Sequence, residues 1–290
     1  MKKSIIILLS LVLSLSAFSC THKKEYRVLE AGGYDESSDA NHQAEIVLYA
    51  TDLIQKEGVA SEITTQINGK EYTLHYIGSY EQNIYQSDTD RYSFQENTDF
   101  VLVGINRKTG KKDSFTWYIK DYFDRKGDSA VDRDGCYRIA KEYLEQYTDA
   151  DSYELLNERY REIPEYKGLY CFEFVRMKNG LQTSDRASID VSVSGDVVSC
   201  IFSCLGEMKN IKVPSKSEME TIEQAVAAKL DQIYTLSDEF SYRHETQTVT
   251  LAKLKDGKRA LIYDINVTKQ SGDGETTYYS ELCKLVVPLD

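Results

Sequence analysis

Proline and basic clusters are scarce in this chain. Its 290 residues include three prolines, four histidines and one tryptophan. So few prolines, without a low-complexity segment after residue 43, indicate a chain that folds throughout. Acidic side chains outnumber basic ones by 47 to 35, which gives a formal net charge of −12. We therefore expect neither nucleic-acid binding nor electrostatic adhesion to anionic lipid.

Catalytic and cofactor motifs are missing from the sequence as well. No Gly-x-Ser-x-Gly, P-loop or dinucleotide glycine pattern occurs. His244 and Glu245 lack the second histidine of a zinc-protease helix. Acidic stretches at 88–90, 132–135 and 149–151 lack the ligand order of a calcium loop, and helix caps or turns account for them. We expect no metal, no cofactor and no catalytic residue.

The cysteines follow no disulfide framework. Cys20 is followed by five others, and an odd number cannot all pair within one chain. The five are Cys136, Cys171, Cys200, Cys204 and Cys283. Cys200 and Cys204 lie on one strand-like run about 13 Å apart, too far for a direct bridge. One disulfide to another strand and buried free thiols stay as alternatives.

The amino terminus has the form of a secretory signal. Two lysines precede an apolar run from Ile5 to Leu15, which is too short for a membrane span. Small residues, Ala17 and Ser19 among them, then lead to Cys20, and the order resembles a bacterial lipobox. This resemblance implies a signal peptide at residues 1–19 and acylation of Cys20. The alternative is an ordinary thiol after a signal that is cleaved elsewhere.

Lipidation of Cys20 would place the protein on a membrane. Two acyl chains anchor a protein stably where one does not. Residues 20–43 are polar and lack the apolar content to order themselves, which predicts a flexible tether. We therefore expect a lipid anchor in the cell membrane and a folded part on the extracytoplasmic face.

Beyond the predicted tether, a helix followed by alternating strands recurs. Apolar residues at helical spacing precede two pairs of strands separated by a polar turn with glycine. These residues are Cys136, Ile139, Ala140, Tyr143 and Tyr147 in one segment, and Met219, Ile222, Val226, Leu230 and Ile233 in the other. We predict an α+β fold of two to three repeated units, each a helix packed on a small antiparallel β-sheet. The units span residues 44–120, 132–205 and 214–290.

Local signals refine this prediction. Asn68-Gly69 predicts a tight hairpin between 62–67 and 70–76, because both residues tolerate positive φ. A second hairpin joins 100–105 to 114–118. Apolar positions also predict a helix in the first unit that Gly58 ends. Those positions are Ile46, Tyr49, Ala50 and Leu53. Ser215 with Glu218, or Ser217 with Glu220, predicts a capping box at the third helix.

The helix-then-strands pattern resembles the PepSY domains of bacterial secreted proteins and lipoproteins, both in the second unit and, without the Ser-Gly-Asp turn, in the third unit at 214–290. The resemblance is carried by the aromatic strand 170–174, the turn Asn179-Gly180 and the alternating run 189–198 with its Ser-Gly-Asp turn. The turn 106–110 is similar to the Asp-x-x-Thr-Gly turns of that family. This likeness implies a non-catalytic module, of a kind found in propeptides that inhibit peptidases and in exported proteins that modulate them.

Tyrosine is unusually frequent, with 22 residues against nine phenylalanines. Tyr72, Tyr76, Tyr80 and Trp117 crowd the first unit and form a candidate partner-binding surface, because amphipathic rings suit interfaces. The alternative is ordinary strand packing, since strands favour tyrosine regardless of function.

Three functions compete on this basis. The leading one is a lipid-anchored, non-catalytic binding protein with a protein partner in the cell envelope, such as a peptidase. The others are an envelope hydrolase built from scattered carboxylates and a structural spacer of an envelope complex.

Overall fold

The computed structural model describes residues 24–32, 41–48, 52–67, 69–84, 88–125, 130–237 and 239–290. These residues form one mixed sheet of thirteen strands with three α-helices. The strands are β1 Leu29–Glu30, β2 Glu62–Ile67, β3 Lys70–Tyr80, β4 Thr89–Glu96, β5 Asp99–Asn106, β6 Lys112–Tyr118, β7 Tyr153–Arg161, β8 Leu169–Lys178, β9 Leu181–Ser192, β10 Val197–Ser203, β11 Phe240–Lys253, β12 Arg259–Ser271 and β13 Thr277–Pro288. The helices are α1 Lys120–Arg125, α2 Arg133–Glu145 and α3 Lys216–Ile233.

The sheet divides into two regions that meet at β9. The meander region is the antiparallel series β7-β8-β9-β10-β6-β5-β4-β3-β2, together with α1 and α2. The C-terminal region is β11, β12 and β13 with α3, and β1 is added at its edge. The two join where β11 runs parallel to the start of β9, through Thr250↔Gln182 and Leu251↔Thr183. Each region has its own hydrophobic core.

The predicted α+β class is wrong, because the molecule is mostly β-structure. Strands hold 51% and helices 17% of it, in one large sheet rather than repeated helix-on-small-sheet units. The pairing of β6 with β10, through Phe115↔Cys200, carries the first predicted unit directly into the second. The described parts of the predicted first helix, 44–48 and 52–54, are not helical. The predicted signal peptide and Cys20 lie outside the described residues.

Both predicted hairpins are present. Ile67 pairs with Lys70 at the end of the first hairpin, and Gly69 has a φ of 76°. Strands β5 and β6 pair antiparallel as expected. These turns are local features, so the sequence pattern alone locates them.

Two helices also follow their sequence periodicity. The Asp132 side chain caps α2 by accepting from the Gly135 amide at 2.8 Å. At α3, Ser215 and Glu218 form the full capping box. Both helices bury one apolar stripe, as an amphipathic helix must. The buried residues are Cys136, Ala140 and Leu144 in α2, and Ile222, Val226, Leu230 and Ile233 in α3.

Strands β2 to β6 of the meander region form a strongly curled part of the sheet. In a flat sheet β2 and β6, four strand spacings apart, would be separated by about 19 Å. Instead, the Lys112 ammonium donates to the Thr65 hydroxyl at 3.4 Å. Strand β2 therefore lies over β6, and the aromatic side chains of β6 face a concave space.

Part of the predicted tether is ordered against the C-terminal region. Leu29 and Glu30 pair with β13, and Ala31 donates its amide to the Lys284 carbonyl at 2.9 Å. Lys229 of α3 forms ion pairs with Glu30 at 3.0 Å and Glu45 at 3.2 Å. We call residues 24–32 and 41–48 the N-terminal segment, and it fills the space between α3 and the sheet edge.

Candidate functional site

A concavity lies between α2, β2 and β6. It consists of two adjoining cavities of about 450 Å³ and 480 Å³. Lys112, Gln146 and Tyr147 line both cavities, which makes them one continuous groove. We call this feature the α2 groove.

One half of the α2 groove is aromatic and aliphatic. Its lining includes Ile67, Phe115, Trp117, Ile139 and Tyr143. The Phe115 and Tyr143 rings meet edge to face at 6.0 Å between centroids. Trp117 is held rigidly, because its indole N–H donates to the Val197 carbonyl at 2.9 Å. These rings form a preformed apolar wall.

The other half carries cationic side chains. Lys108, Lys111 and Lys112 come from the end of β5–β6 and stand beside Tyr147 and Phe202. Burial lowers the pKa of the Lys112 ammonium, since desolvation disfavours its charged form.

Two carboxylates, those of Asp113 and Glu207, also line the cationic half of the groove. Burial raises the pKa of Asp113, although the hydroxyls of Thr89 and Ser114 donate to it at 2.7 Å and 3.1 Å. Glu207 lines the same cavity beyond the end of β10. Asp113 is thus anchored by its neighbours rather than presented to a substrate.

The groove forms because α2 packs on only part of the sheet. The buried stripe of α2 packs on β8, β9 and β10, whereas Ile139 and Tyr143 project from its flank into the groove. Tyr147 follows the end of α2 and lines the groove as well. Tyr143 and Tyr147 share a hydroxyl contact of 3.0 Å. The sequence indicated these two tyrosines as core positions of a helix. It carried no signal that the flank would border a cavity.

The predicted tyrosine surface lies largely inside the protein. Tyr72 and Trp117 are 6% and 2% exposed, and Tyr72 packs on Phe94 at 5.6 Å. Tyr76 is half-buried, with its hydroxyl 2.8 Å from that of Ser79, and Tyr80 is half-buried as well. Trp117 alone of the four lines the α2 groove. Tyr72 and Trp117 serve packing, so the candidate site is placed at the groove.

Scattered carboxylates, which a hydrolase would need, are engaged in structural pairs. Asp185 and Arg176 form a buried ion pair at 2.8 Å, and Tyr153 also donates to Asp185. Asp90 accepts from Ser79 at 2.6 Å and pairs with Arg107. No group of three or more histidine, cysteine or acidic side chains within the described residues has the geometry of a metal site.

The histidines of the described residues differ in exposure. His75 is exposed, but His42 is mostly buried, with its ring nitrogens 3.4 Å from Glu30 and 3.3 Å from Glu281. His42 therefore holds the N-terminal segment to β13. Burial lowers the pKa of His244, which disfavours its charged form.

The five cysteines after Cys20 are buried, and they form no disulfide within the described residues. Burial raises the pKa of Cys200 to about 12 and that of Cys136 and Cys171 to about 11. These thiols stay protonated near neutral pH and act as small core residues. In the part of the chain that is described, no helix combines the length and hydropathy of a membrane span.

Comparison with solved structures gives weak likenesses. The C-terminal domain of Bacillus megaterium YpeB overlaps 76% of this chain and 87% of its own, at 10% identity and a TM-score of 0.34. The Pseudomonas aeruginosa MucA/MucB complex overlaps 78% and 87%, at 12% identity and a TM-score of 0.11. Because these TM-scores are low, the fold is described from its own strands. No curated protein matches the chain.

A family model gives a more specific result. The matched segment begins at the end of β2 and ends at the last residue of β10, so it lies within the meander region and includes most of the α2 groove. Membership of the PepSY family stays a prediction. Residues 66–203 match the family described as the YcdB, YcdC repeated domain.

Proposed function

We propose that this protein is a non-catalytic binding protein of the cell envelope, and that the α2 groove receives its protein partner. The observation that supports this most directly is the groove itself, which joins a rigid aromatic wall to a cationic end. Concave sites with apolar walls and a few polar groups are the usual form of a binding site.

The ionisable groups around the groove favour binding over catalysis. A general acid or base needs a perturbed pKa together with access to a substrate. Asp113 has the raised pKa, but two hydroxyls hold its oxygens. The Lys112 ammonium donates to the Thr65 hydroxyl. It also lies over the Phe115 ring, 5.6 Å from the ring centroid. These contacts make a fixed electrostatic wall.

Cross-linking in intact cells tests this proposal. A photoreactive phenylalanine replaces Gln146, which is exposed and lines both cavities of the groove. We expect illumination to yield one discrete adduct with another protein. The matched control places the same residue at Tyr278, which is 57% exposed on β13 and remote from the groove. Adducts from Tyr278 alone, or from neither position, would contradict the proposal.

We further propose that the chain is tethered to the membrane through an acylated Cys20, as its lipobox-like sequence suggests. Metabolic labelling with a fatty acid should mark the wild-type chain and leave Cys20→Ala unlabelled. The unlabelled variant should accumulate as precursor or be released. Equal labelling of both forms would remove the anchor, while leaving the groove proposal in place.

A further inference from the structure

Strand β2 has an edge that no other described strand covers. It is the last strand of the sheet and pairs only with β3 among the described residues. An uncovered strand edge presents backbone donors and acceptors that can pair with another chain. The direction of those groups on β2 can be derived from its register.

The Tyr76 amide donates to the Ser61 carbonyl at 2.9 Å, which makes 61 and 76 a hydrogen-bonded pair. In an antiparallel ladder such pairs alternate with non-hydrogen-bonded ones. The register of β2 and β3 therefore directs Ile63, Thr65 and Ile67 toward β3. It directs the N–H and C=O groups of the alternating residues outward. Those residues are Glu62, Thr64 and Gln66.

This edge borders the α2 groove. Gln66 and Ile67 both line the groove, although successive side chains of a strand point to opposite faces. A cavity reached by both residues is not confined to one face of the strand, and it meets β2 at its C-terminal end. Opposite this edge stand Tyr143 of α2 and Gln146, which caps the C-terminus of that helix. Phe115 and Trp117 form the floor.

The molecule already covers one such edge with its own chain. In the C-terminal region, β1 adds to the edge of β13 beside α3. Ala31 and Leu48 of the N-terminal segment are buried in the core of that region. Edge strand, helix and apolar space recur in the meander region. There, no part of the described chain occupies the corresponding place between α2 and β2.

We propose that an extended peptide segment of the partner adds as a strand to the outer edge of β2. Its alternate apolar side chains would enter the aromatic half of the α2 groove. An acidic residue at one end would meet the cationic half, because Lys108 and Lys111 stand there. This inference rests on the proposed function and adds the chemistry of the bound segment.

Synthetic peptides test the chemistry of the segment. The probe matches the six residues of β2 in length, with valine at alternate positions and two aspartates at one end. The chain contains one tryptophan, Trp117, so its emission reports occupancy of the groove. We expect saturable binding that weakens about ten-fold when alternate peptide amides are N-methylated, since ladder donors are then lost. Exchanging the aspartates for lysines should weaken binding by a similar factor.

A matched pair of variants tests the edge itself. Thr64→Pro removes an outward amide without touching the bonds to β3, and proline is tolerated on an edge strand. We expect about ten-fold weaker peptide binding with an unchanged melting temperature. Thr64→Val keeps the amide and should bind within about two-fold of wild type. Lys111→Glu should weaken the aspartate-ended peptide and not a neutral-ended one.

The outcomes separate this inference from the proposed function. Equal binding by Thr64→Pro and by the N-methylated peptide overturns strand addition. No peptide binding, together with a protein adduct at Gln146, overturns the inference while the groove keeps its partner. Absence of the Gln146 adduct removes the proposed function. Should Thr64→Pro unfold, the N-methylated peptide on the wild-type chain decides the question alone.

Discussion

The meander region and the C-terminal region both have antiparallel strands with a helix packed beside them, but the space next to the helix is filled in one region and open in the other. Helix α3 is flanked by the N-terminal segment, which adds β1 to β13 and buries Ala31 and Leu48. Helix α2 is flanked by the α2 groove. The comparison shows how one arrangement gives a closed core when the chain supplies the extra strand, and a binding groove when it does not.

The electrostatic surroundings differ in the same sense. Around α3, Lys229 is held by Glu30 and Glu45, so the cation closes the N-terminal segment onto the helix. Around α2, the lysines of the β5–β6 end line the cavity. Cations thus stabilise an internal contact in one region and border the groove in the other.

The largest expected loss of stability comes from truncating a side chain in either of the two cores. Phe172, fully buried in the meander region, should lose about 3–5 kcal/mol of stability on replacement by alanine. Leu261→Ala in the C-terminal region should lose about 2–5 kcal/mol. Because two ladder pairs join β9 to β11, we expect each loss to be greater in its own region. Urea unfolding followed by Trp117 emission and by amide exchange in β12 measures both. Equal loss at both probes for both variants would mean one undivided core.

The buried pair Arg176–Asp185 should be nearly as important to the meander region. Arg176→Met leaves the Asp185 carboxylate buried without its cation, which should lower stability by about 3–5 kcal/mol. The double variant with Asp185→Leu should recover most of that loss, since the unpaired charge is gone. Chemical denaturation of both variants checks this, and a double variant as unstable as the single would show that packing dominates.

The pH dependence should act on the two regions in opposite directions. Burial raises the pKa of Asp113 above its ordinary 3.8 in the folded state. Its contribution is therefore fully present below that ordinary value and is lost as pH rises through the folded pKa. Asp113→Asn should remove this decline and leave the meander region more stable at neutral pH. Melting temperatures of wild type and variant across acidic to neutral pH measure it, and parallel curves would contradict it.

The smallest expected change in stability concerns the ion pair between Arg259, the first residue of β12, and Asp290. Arg259 donates to the Asp290 carboxylate at 2.9 Å and lowers its pKa to about 2. Here stability is present above the ordinary value near 3.8 and is lost as pH falls toward 2. Asp290→Asn should lower stability by about 0.2–1 kcal/mol at neutral pH, because the pair is partly exposed. A loss that persists at pH 2 would show that another contact is responsible.

Much of the local structure could be predicted from the sequence. The β2–β3 hairpin, the periodicity of α2 and α3, and the Ser215–Glu218 box each depend on neighbouring residues. The predicted helix near Ile46 failed for a long-range reason. Ile46 instead forms a bridge with Ala31 and packs against the C-terminal core. A helical spacing of apolar residues cannot distinguish that arrangement from a helix.

The sheet and the site could not be predicted in this way. Pairing of β6 with β10 brings Phe115 beside Cys200, 85 positions later in the numbering, and no local pattern encodes such a register. The α2 groove needs β2, β6 and α2 together, and it exists because the meander curls. Tyr72 and Trp117 attracted attention through their composition, yet burial assigned them to packing.

Amide hydrogen exchange tests the difference between the two regions most directly. In the free protein, the outward amides of Thr64 and Gln66 on β2 should exchange nearly as fast as in an unstructured peptide. The Ala31 amide, bonded to Lys284 at 2.9 Å, should be protected. On addition of the aspartate-ended valine peptide, Thr64 and Gln66 should become protected while Ala31 stays unchanged. Slow exchange at Thr64 and Gln66 in the free protein would mean that the β2 edge is already covered, and the account of an open groove would be wrong.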